Sequence, residues 1–140
     1  HANSDLDHYA VKFAEKAELP LLRVSPLLHQ AKRSGKFVYC PDISGFLDLV
    51  KNATYLVTDS FHGTAFAIIF KKNFNTYIAL PRASQRIKSL LGVCNLLGRI
   101  VDKDGPINTT ENCFSIFDWE SFENYRQLSI KYISSFIARI

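Results

Sequence analysis

The sequence has few of the residues that build disulfide frameworks or zinc sites. Its 140 residues include three cysteines, which are odd in number and form no Cys-x-x-Cys pair. Neither a disulfide framework nor a zinc site is therefore expected. We predict instead that Cys40, Cys94 and Cys113 are buried free thiols in a reducing compartment.

Long apolar runs and dense charge are missing too. No run reaches the roughly 18 apolar residues of a membrane span, and the first four residues show no signal-peptide pattern. We therefore expect a cytoplasmic protein without an integral membrane segment. The net charge of +4 is a mild excess that suits an anionic ligand, such as a phosphate or an acidic sugar. No dense lysine and arginine stripe with interleaved aromatics is present, so no nucleic-acid partner is expected.

The glycine-rich loops of nucleotide-binding proteins are also absent. The sequence contains neither G-x-G-x-x-G nor G-x-x-x-x-G-K-[ST], which disfavours dinucleotide-binding and P-loop functions. Ser60 and His62 lie close together in residues 59–62, but the G-x-S-x-G elbow of the α/β hydrolases is missing around them. A hydrolase is therefore disfavoured as well.

What the chain does contain is a regular alternation of apolar runs and helical patterns. Ser4 is predicted to cap the first helix, whose apolar residues recur at helical spacing until Pro20 ends it. Short apolar runs predict strands at residues 21–24, 37–39, 55–57 and 74–80. Further helix caps are predicted at Ser44, Ser60, Ser84 and Asp118. The polar residues 26–35 and 98–112 are predicted as loops.

This alternation favours an α/β fold, in the form of a three-layer Rossmann-like domain with a mostly parallel sheet. The length suits a single domain over residues 1–140. Because the first predicted element is a helix, we expect a further strand upstream of residue 1. The last helix has an apolar stripe that we expect to pack on the sheet or on a neighbouring domain. This stripe consists of Phe122, Tyr125, Leu128, Tyr132, Phe136 and Ile140.

The junction at residues 58–64 is the strongest candidate for a functional site. An apolar strand ends there, and a strongly apolar helix follows. Backbone N–H groups at a helix start have no intrahelical partner and favour an anion. Ser60 and Thr64 could add hydroxyl donors, Gly63 could allow close approach of a ligand, and His62 could add an imidazole that exchanges protons. A structural interpretation is equally open, with Ser60 as a cap, Gly63 as a packing contact and His62 as a partly buried histidine.

The same segment resembles the polysaccharide pyruvyl transferase family. The specific part is the run TDSFHGTAFAIIF at residues 58–70. Residues 84–91 are similar to the arginine-bearing helix of the family, and residues 96–99 and 118–120 are similar to two later segments. The sequence departs from the family at Asn73, where proline is usual. This difference is expected to loosen a turn without removing chemistry.

The resemblance implies a two-domain, glycosyltransferase-B-like enzyme, of which this chain would be the C-terminal, donor-binding half. The implied reaction transfers the pyruvyl unit of phosphoenolpyruvate to a sugar of a polysaccharide precursor as a ketal, with no metal and no cofactor. His62 would be the catalytic or phosphate-contacting residue. Substrate-binding roles would fall to Ser60, Gly63, Thr64, Arg86, Arg82 and Arg99. Without the N-terminal domain, the chain alone is expected to be inactive.

Two other functions are compatible with the sequence. One is the donor domain of a glycosyltransferase that uses a nucleotide-sugar, although no adenine or uracil slot can be assigned. The other is a non-catalytic α/β domain that serves as an interaction surface.

Overall fold

The structure is a computed structural model that describes residues 3–78, 81–102, 105, 107, 109 and 112–137, without the side chains of residues 81–83. Five α-helices and five strands follow one another along the described part of the chain, in alternation except for the first two strands, which a 3-10 helix joins. The helices are α1 (Ser4–Lys16), α2 (Ile43–Asn52), α3 (Phe61–Ile69), α4 (Pro81–Val93) and α5 (Trp119–Ile137). The strands are β1 (Leu22–Ser25), β2 (Lys36–Tyr39), β3 (Tyr55–Thr58), β4 (Asn73–Tyr77) and β5 (Ile100–Val101). Short 3-10 helices cover Leu28–Lys32, Leu97–Arg99 and Cys113–Ser115.

All strand pairs among the described residues are parallel. Strands β1 and β2 form one sheet, and β3, β4 and β5 form a second sheet in that order. Parallel strands joined by helices confirm the predicted α/β, Rossmann-like class. The likeness to one half of a glycosyltransferase-B-like enzyme stays a prediction.

Helices cover the second sheet on both faces, as the alternating directions of the side chains of strand β4 show. Asn75 lies toward α1, where its side-chain amide donates a hydrogen bond of 2.7 Å to the Tyr9 hydroxyl. Thr76 lies toward α3, where its hydroxyl is 3.0 Å from that of Thr64. Because successive side chains of a strand point to opposite faces, α1 and α3 lie on opposite sides of the sheet. The described part of the chain therefore has three layers.

Each face of the sheet has its own apolar core. The α1 side is a cluster of Tyr9, Phe13, Tyr77 and Val101. The opposite side is larger and consists of Ala67, Ile68, Phe74, Ile87, Leu91, Cys94, Leu96, Cys113 and Phe117. Two of the three predicted buried thiols therefore lie in this core. The third, Cys40, is exposed, so its predicted burial is wrong: it follows β2 at the end of the smaller sheet, where nothing described covers it. All three thiols are free.

Two of the helix caps lie where the sequence predicts them. The Ser60 hydroxyl accepts a hydrogen bond from the Gly63 N–H at 3.3 Å, and the Asp118 carboxylate accepts one from the Ser121 N–H at 2.9 Å. These bonds satisfy first-turn donors of α3 and α5, which otherwise have no partner inside the helix.

Three predicted caps are wrong. Asn3 caps α1 in place of Ser4, and Asp42 caps α2 in place of Ser44. In both cases a residue with a longer oxygen-bearing side chain precedes the serine and reaches the free N–H groups first. Ser84 is a buried residue inside α4, which already begins at Pro81.

The predicted loops and the last strand differ in detail. Residues 26–35 and 98–112 include short 3-10 helices, and the second segment also includes β5. Strand β4 begins at Asn73 and ends at Tyr77, and residues 79 and 80 of the predicted strand lie outside the described residues.

Among the described residues, helix α5 packs on other elements only at its beginning. Trp119 and Phe122 lie against Phe117, with ring centroids 4.2 and 5.5 Å apart. Further along, Tyr125, Leu128, Tyr132 and Phe136 are exposed, and Ile140 lies outside the described residues. These four residues therefore do not pack on the sheet, and no described element covers them. The alternative expectation, that the stripe packs on a neighbouring domain, stays a prediction. None of the described helices combines the length and the hydropathy needed to cross a membrane.

Candidate functional site

The start of α3 lies directly beyond the carboxyl end of β3. Strand β3 ends at Thr58, and Ser60 keeps an extended backbone (φ −90°, ψ 132°) before the helix begins at Phe61. The Ser60 N–H donates to the Thr58 hydroxyl at 3.1 Å, which fixes the turn between strand and helix. In open α/β sheets this edge is where ligands bind.

Gly63 lets α3 approach β3 closely. A Cβ at this position would lie 2.5 Å from the Thr58 Oγ1 and 3.2 Å from the Thr58 Cβ. The Gly63 N–H is already bonded to the Ser60 hydroxyl, and the residue is buried. The structure therefore gives Gly63 a packing role at the strand, as the structural interpretation of the sequence held.

Thr64 is also directed into the protein. Its hydroxyl donates to the Ser60 carbonyl at 3.0 Å and pairs with the Thr76 hydroxyl at 3.0 Å. The residue is fully buried. Its hydroxyl therefore ties α3 to β4, and Ser60 and Thr64 together hold the helix start in place. The sequence does not reveal the Thr64–Thr76 pair, because the partners belong to different elements.

His62 is the exposed side chain of this first turn. Its ring lies 5.7 Å from the ring of Phe61, at an interplanar angle of 77°. The N–H groups of Phe61 and His62 belong to the first turn, whose donors have no intrahelical acceptor. No hydrogen bond joins these two N–H groups to another described residue. Two backbone donors and an imidazole therefore face the same end of the helix.

Arg86 reaches this helix start from α4. Its guanidinium carbon lies 5.3 Å from the centroid of the Phe61 ring, within the range of a cation–π interaction. Phe61 thus contacts both His62 and Arg86 and brings α3 and α4 together. Phe61 lies within the predicted junction at residues 58–64, but no role was predicted for it. Its position between Ser60 and His62 is the signal that could have found it.

Of the two other predicted arginines, the structure places only the side chain of Arg99, which is not part of this group. The Arg82 side chain lies outside the described residues. Arg99 is 5% exposed and belongs to the interior. Burial raises the pKa of the Tyr55 phenol, and the nearby positive charge of Arg99 lowers it in part. Arg99 therefore acts on the tyrosine beneath α1, on the sheet face opposite α3.

The described residues at the helix start provide the chemistry of a small anion site. They combine two backbone donors, an imidazole and a guanidinium, and a guanidinium can bind a carboxylate or a phosphate through two parallel hydrogen bonds. No group of three or more histidine, cysteine or acidic residues that could hold a metal ion occurs among residues the structure describes.

The fold is an α/β domain in which His62 and Arg86 meet on Phe61 at the start of α3. The chain belongs to the polysaccharide pyruvyl transferase family: the family model, Polysaccharide pyruvyl transferase, matches residues 2–77, slightly more than half of the chain. This confirms the resemblance seen in the sequence. The match includes the start of α3 and ends before Arg82, Arg86 and Arg99. No curated protein and no solved structure matches the chain.

Proposed function

We propose that this domain binds phosphoenolpyruvate at the start of α3 and serves the transfer of its pyruvyl unit to a sugar. The observation that carries the proposal is the meeting of His62 and Arg86 on Phe61. Phosphoenolpyruvate has two anionic groups on a short frame. The N–H groups of Phe61 and His62 suit its phosphate, and Arg86 suits its carboxylate.

The reaction requires a proton and a stabilised leaving group. Protonation of the methylene carbon of phosphoenolpyruvate leaves positive charge on the carbon that bears the phosphate. One sugar hydroxyl attacks this carbon, inorganic phosphate leaves, and a second sugar hydroxyl closes the ketal while both hydroxyl protons are released. The protonated imidazole of His62 can donate to the methylene carbon or stabilise the departing phosphate.

Three parts of the proposal concern what surrounds this domain. The acceptor sugar binds on a second, N-terminal domain, so this chain alone binds the donor and does not complete the reaction. The enzyme works in the cytoplasm. Arg82 keeps its predicted binding role in the proposal, whereas the burial of Arg99 speaks against direct contact of Arg99 with the donor.

Binding by the 140-residue chain tests the proposal. We expect phosphoenolpyruvate to shift the imidazole signals of His62 in NMR spectra and to bind at least about tenfold more weakly to Arg86→Gln, because a charge-assisted hydrogen bond contributes roughly 1.5–3 kcal/mol. Lys88→Gln is the matched control, since this exposed residue of α4 lies two positions from Arg86 and on another side of the helix.

The same titration separates the other functions. A nucleotide-sugar that shifts His62 while phosphoenolpyruvate does not would support the glycosyltransferase, and no response to either ligand would support an interaction domain. Catalysis needs a second measurement. In the two-domain enzyme, His62→Ala should lower kcat by about 100-fold or more, as expected for loss of a general acid, whereas His8→Ala, at an exposed position of α1, should not. Unchanged transfer by His62→Ala would remove His62 from the mechanism.

A further inference from the structure

A cleft lies between the two sheets of the described part of the chain. Its volume is about 790 Å³, and it is lined by β1 on one side and by residues 54–59, including β3, on the other. Helix α1 contributes Leu6, Ala10 and Phe13, and α2 contributes Phe46 and Leu49. The cleft is separate from the Phe61–His62–Arg86 group.

Two open strand edges face each other across this cleft. Strand β1 pairs with β2 on one side only, and β3 pairs with β4 on one side only. The backbone groups of the other two edges have no strand partner among the described residues. Open edges of this kind are able to pair with a further strand.

Helices already close the cleft above and below. Phe13 of α1 packs on Tyr55 of β3, with ring centroids 4.2 Å apart. Phe46 of α2 packs on Phe66 of α3, with ring centroids 6.1 Å apart. Since α1 and α3 lie on opposite faces of the larger sheet, α1 and α2 cover opposite faces of the cleft. The cleft is therefore enclosed by two strands and two helices, as is the position of an interior strand in a three-layer fold.

Burial along the edges is incomplete. Leu22 and Val24 of β1 are 41% and 38% exposed, and every residue of β3 is only half-buried. Two buried donors that line the cleft, Asn3 Nδ2 and Arg23 Nε, have no hydrogen-bond acceptor among the described residues. A small ligand would leave both backbone edges unpaired, whereas an extended peptide would pair both.

From these observations we infer that the cleft between β1 and β3 receives a further β-strand, parallel to both, that leads into α1. The direction follows from α1. The hydroxyl of Tyr77, the last residue of β4, lies 3.4 Å from the Asp5 carboxylate, so α1 begins beyond the carboxyl ends of the strands. A strand that ran into α1 would therefore run parallel to β3 and β4.

The position follows from connection rules. A strand, a helix and a parallel strand in one sheet are joined with right-handed topology. Helix α1 leads directly into β1, and β2 occupies the outer edge of β1. The strand before α1 therefore fits on the inner edge of β1, which faces β3. The combined sheet would then have the new strand at its centre, with β1 and β2 on one side and β3, β4 and β5 on the other. This is the strand order of a doubly wound fold.

Hydrogen exchange tests this inference on a fusion protein. A valine- and isoleucine-rich strand of about five residues, followed by a short Gly-Asn loop, would be joined in front of His1. The matched control carries the same strand with proline at its second and fourth positions, because proline cannot donate in a ladder. In the fusion, edge amides in β1 and β3 should exchange about tenfold more slowly than in the control, as expected for added hydrogen bonds.

Amides of Asn75 and Thr76 are the internal reference, because β4 is already paired on both sides. They should stay protected in both proteins, which shows that both are folded. Equal exchange at β1 and β3 in the two fusions would overturn the inference. So would slow exchange at both edges in the unfused chain together with a dimer in sedimentation, since a second copy would then fill the cleft. None of these outcomes depends on phosphoenolpyruvate binding.

Discussion

Strands β3 and β4 are neighbours with nearly equal length, yet they differ sharply in burial. Strand β4 contains Asn75 and Thr76 and is buried from Phe74 to Tyr77, whereas the apolar Leu56 and Val57 of β3 are only half-buried. Within the described part of the chain, strand β4 has a partner on each side, and β3 has one. Pairing, more than side-chain polarity, therefore determines which strand is interior. Polar residues of β4 remain buried because Tyr9 and Thr64 provide hydrogen bonds.

The largest expected difference between the two strands concerns their apolar residues. Phe74→Ala should lower the free energy of unfolding by about 3–5 kcal/mol, because Phe74 is fully buried and its removal leaves a cavity. Leu56→Ala should cost only about 1–2 kcal/mol, since half-buried β3 already meets the open cleft. Urea unfolding followed by circular dichroism measures both values. Equal losses would show that β3 is as interior as β4.

The contact of α3 with β3 provides a second, smaller effect. Gly63→Ala should destabilise the fold by about 1–3 kcal/mol, because the new methyl group would overlap the Thr58 side chain. Gly92→Ala is the control, since a Cβ there meets nothing within 4 Å, and alanine in a helix should add roughly 0.5–1 kcal/mol. The double variant Thr58→Ala/Gly63→Ala should lose less stability than the two single variants lose together. Removal of the Thr58 hydroxyl makes room for the new methyl group. Full additivity would contradict the proposed overlap.

The smallest expected effect concerns the reactivity of the thiols, because their exposure differs between the two sides of the cleft. Cys40 at the end of β2 should react quickly with Ellman's reagent in the folded chain, whereas Cys94 should react only on unfolding, because it is fully buried. Burial, together with the charge of Asp118, raises the pKa of the Cys94 thiol from 9.0 to about 11. Rapid labelling of all three thiols would contradict this arrangement.

The raised pKa of Cys94 also predicts a dependence of stability on pH. Between the two pKa values the unfolded chain loses the thiol proton and the folded chain keeps it, so stability is retained below about pH 9 and falls as the pH rises toward about 11. Urea midpoints of the protein and of Cys94→Ala across this range check the sign. The variant should show the shallower fall.

The sequence predicts local features of the fold better than contacts between elements. Ser60 and Asp118 are correct caps because each lies immediately before the first helical residue. Ser4 and Ser44 fail because Asn3 and Asp42 compete for the same donors, and sequence patterns rank such neighbours poorly. The alternation of strands and helices was sufficient for the α/β class, since it reflects burial on both faces of a parallel sheet.

The site was predictable only in part for a related reason. His62 and Ser60 lie together in one run of sequence, and the structure keeps them together at the start of α3. The contact of Phe61 with Arg86 joins α3 to α4 across 25 positions of sequence and depends on how the helices pack. Burial of Arg99 depends on the same tertiary packing, so this arginine, for which the resemblance implied a substrate-binding role, lies in the interior instead.

The contact between Arg86 and Phe61 has a consequence for the thermodynamics of ligand capture. An arginine that extends freely into water loses much of its rotamer entropy when it grips an anion, at a cost of roughly 0.5–1.5 kcal/mol. The Phe61 ring restrains this guanidinium before any ligand arrives. Part of the ordering of Arg86 is therefore complete before a ligand binds. Calorimetry should show a smaller entropic penalty of anion binding for the original chain than for Phe61→Leu.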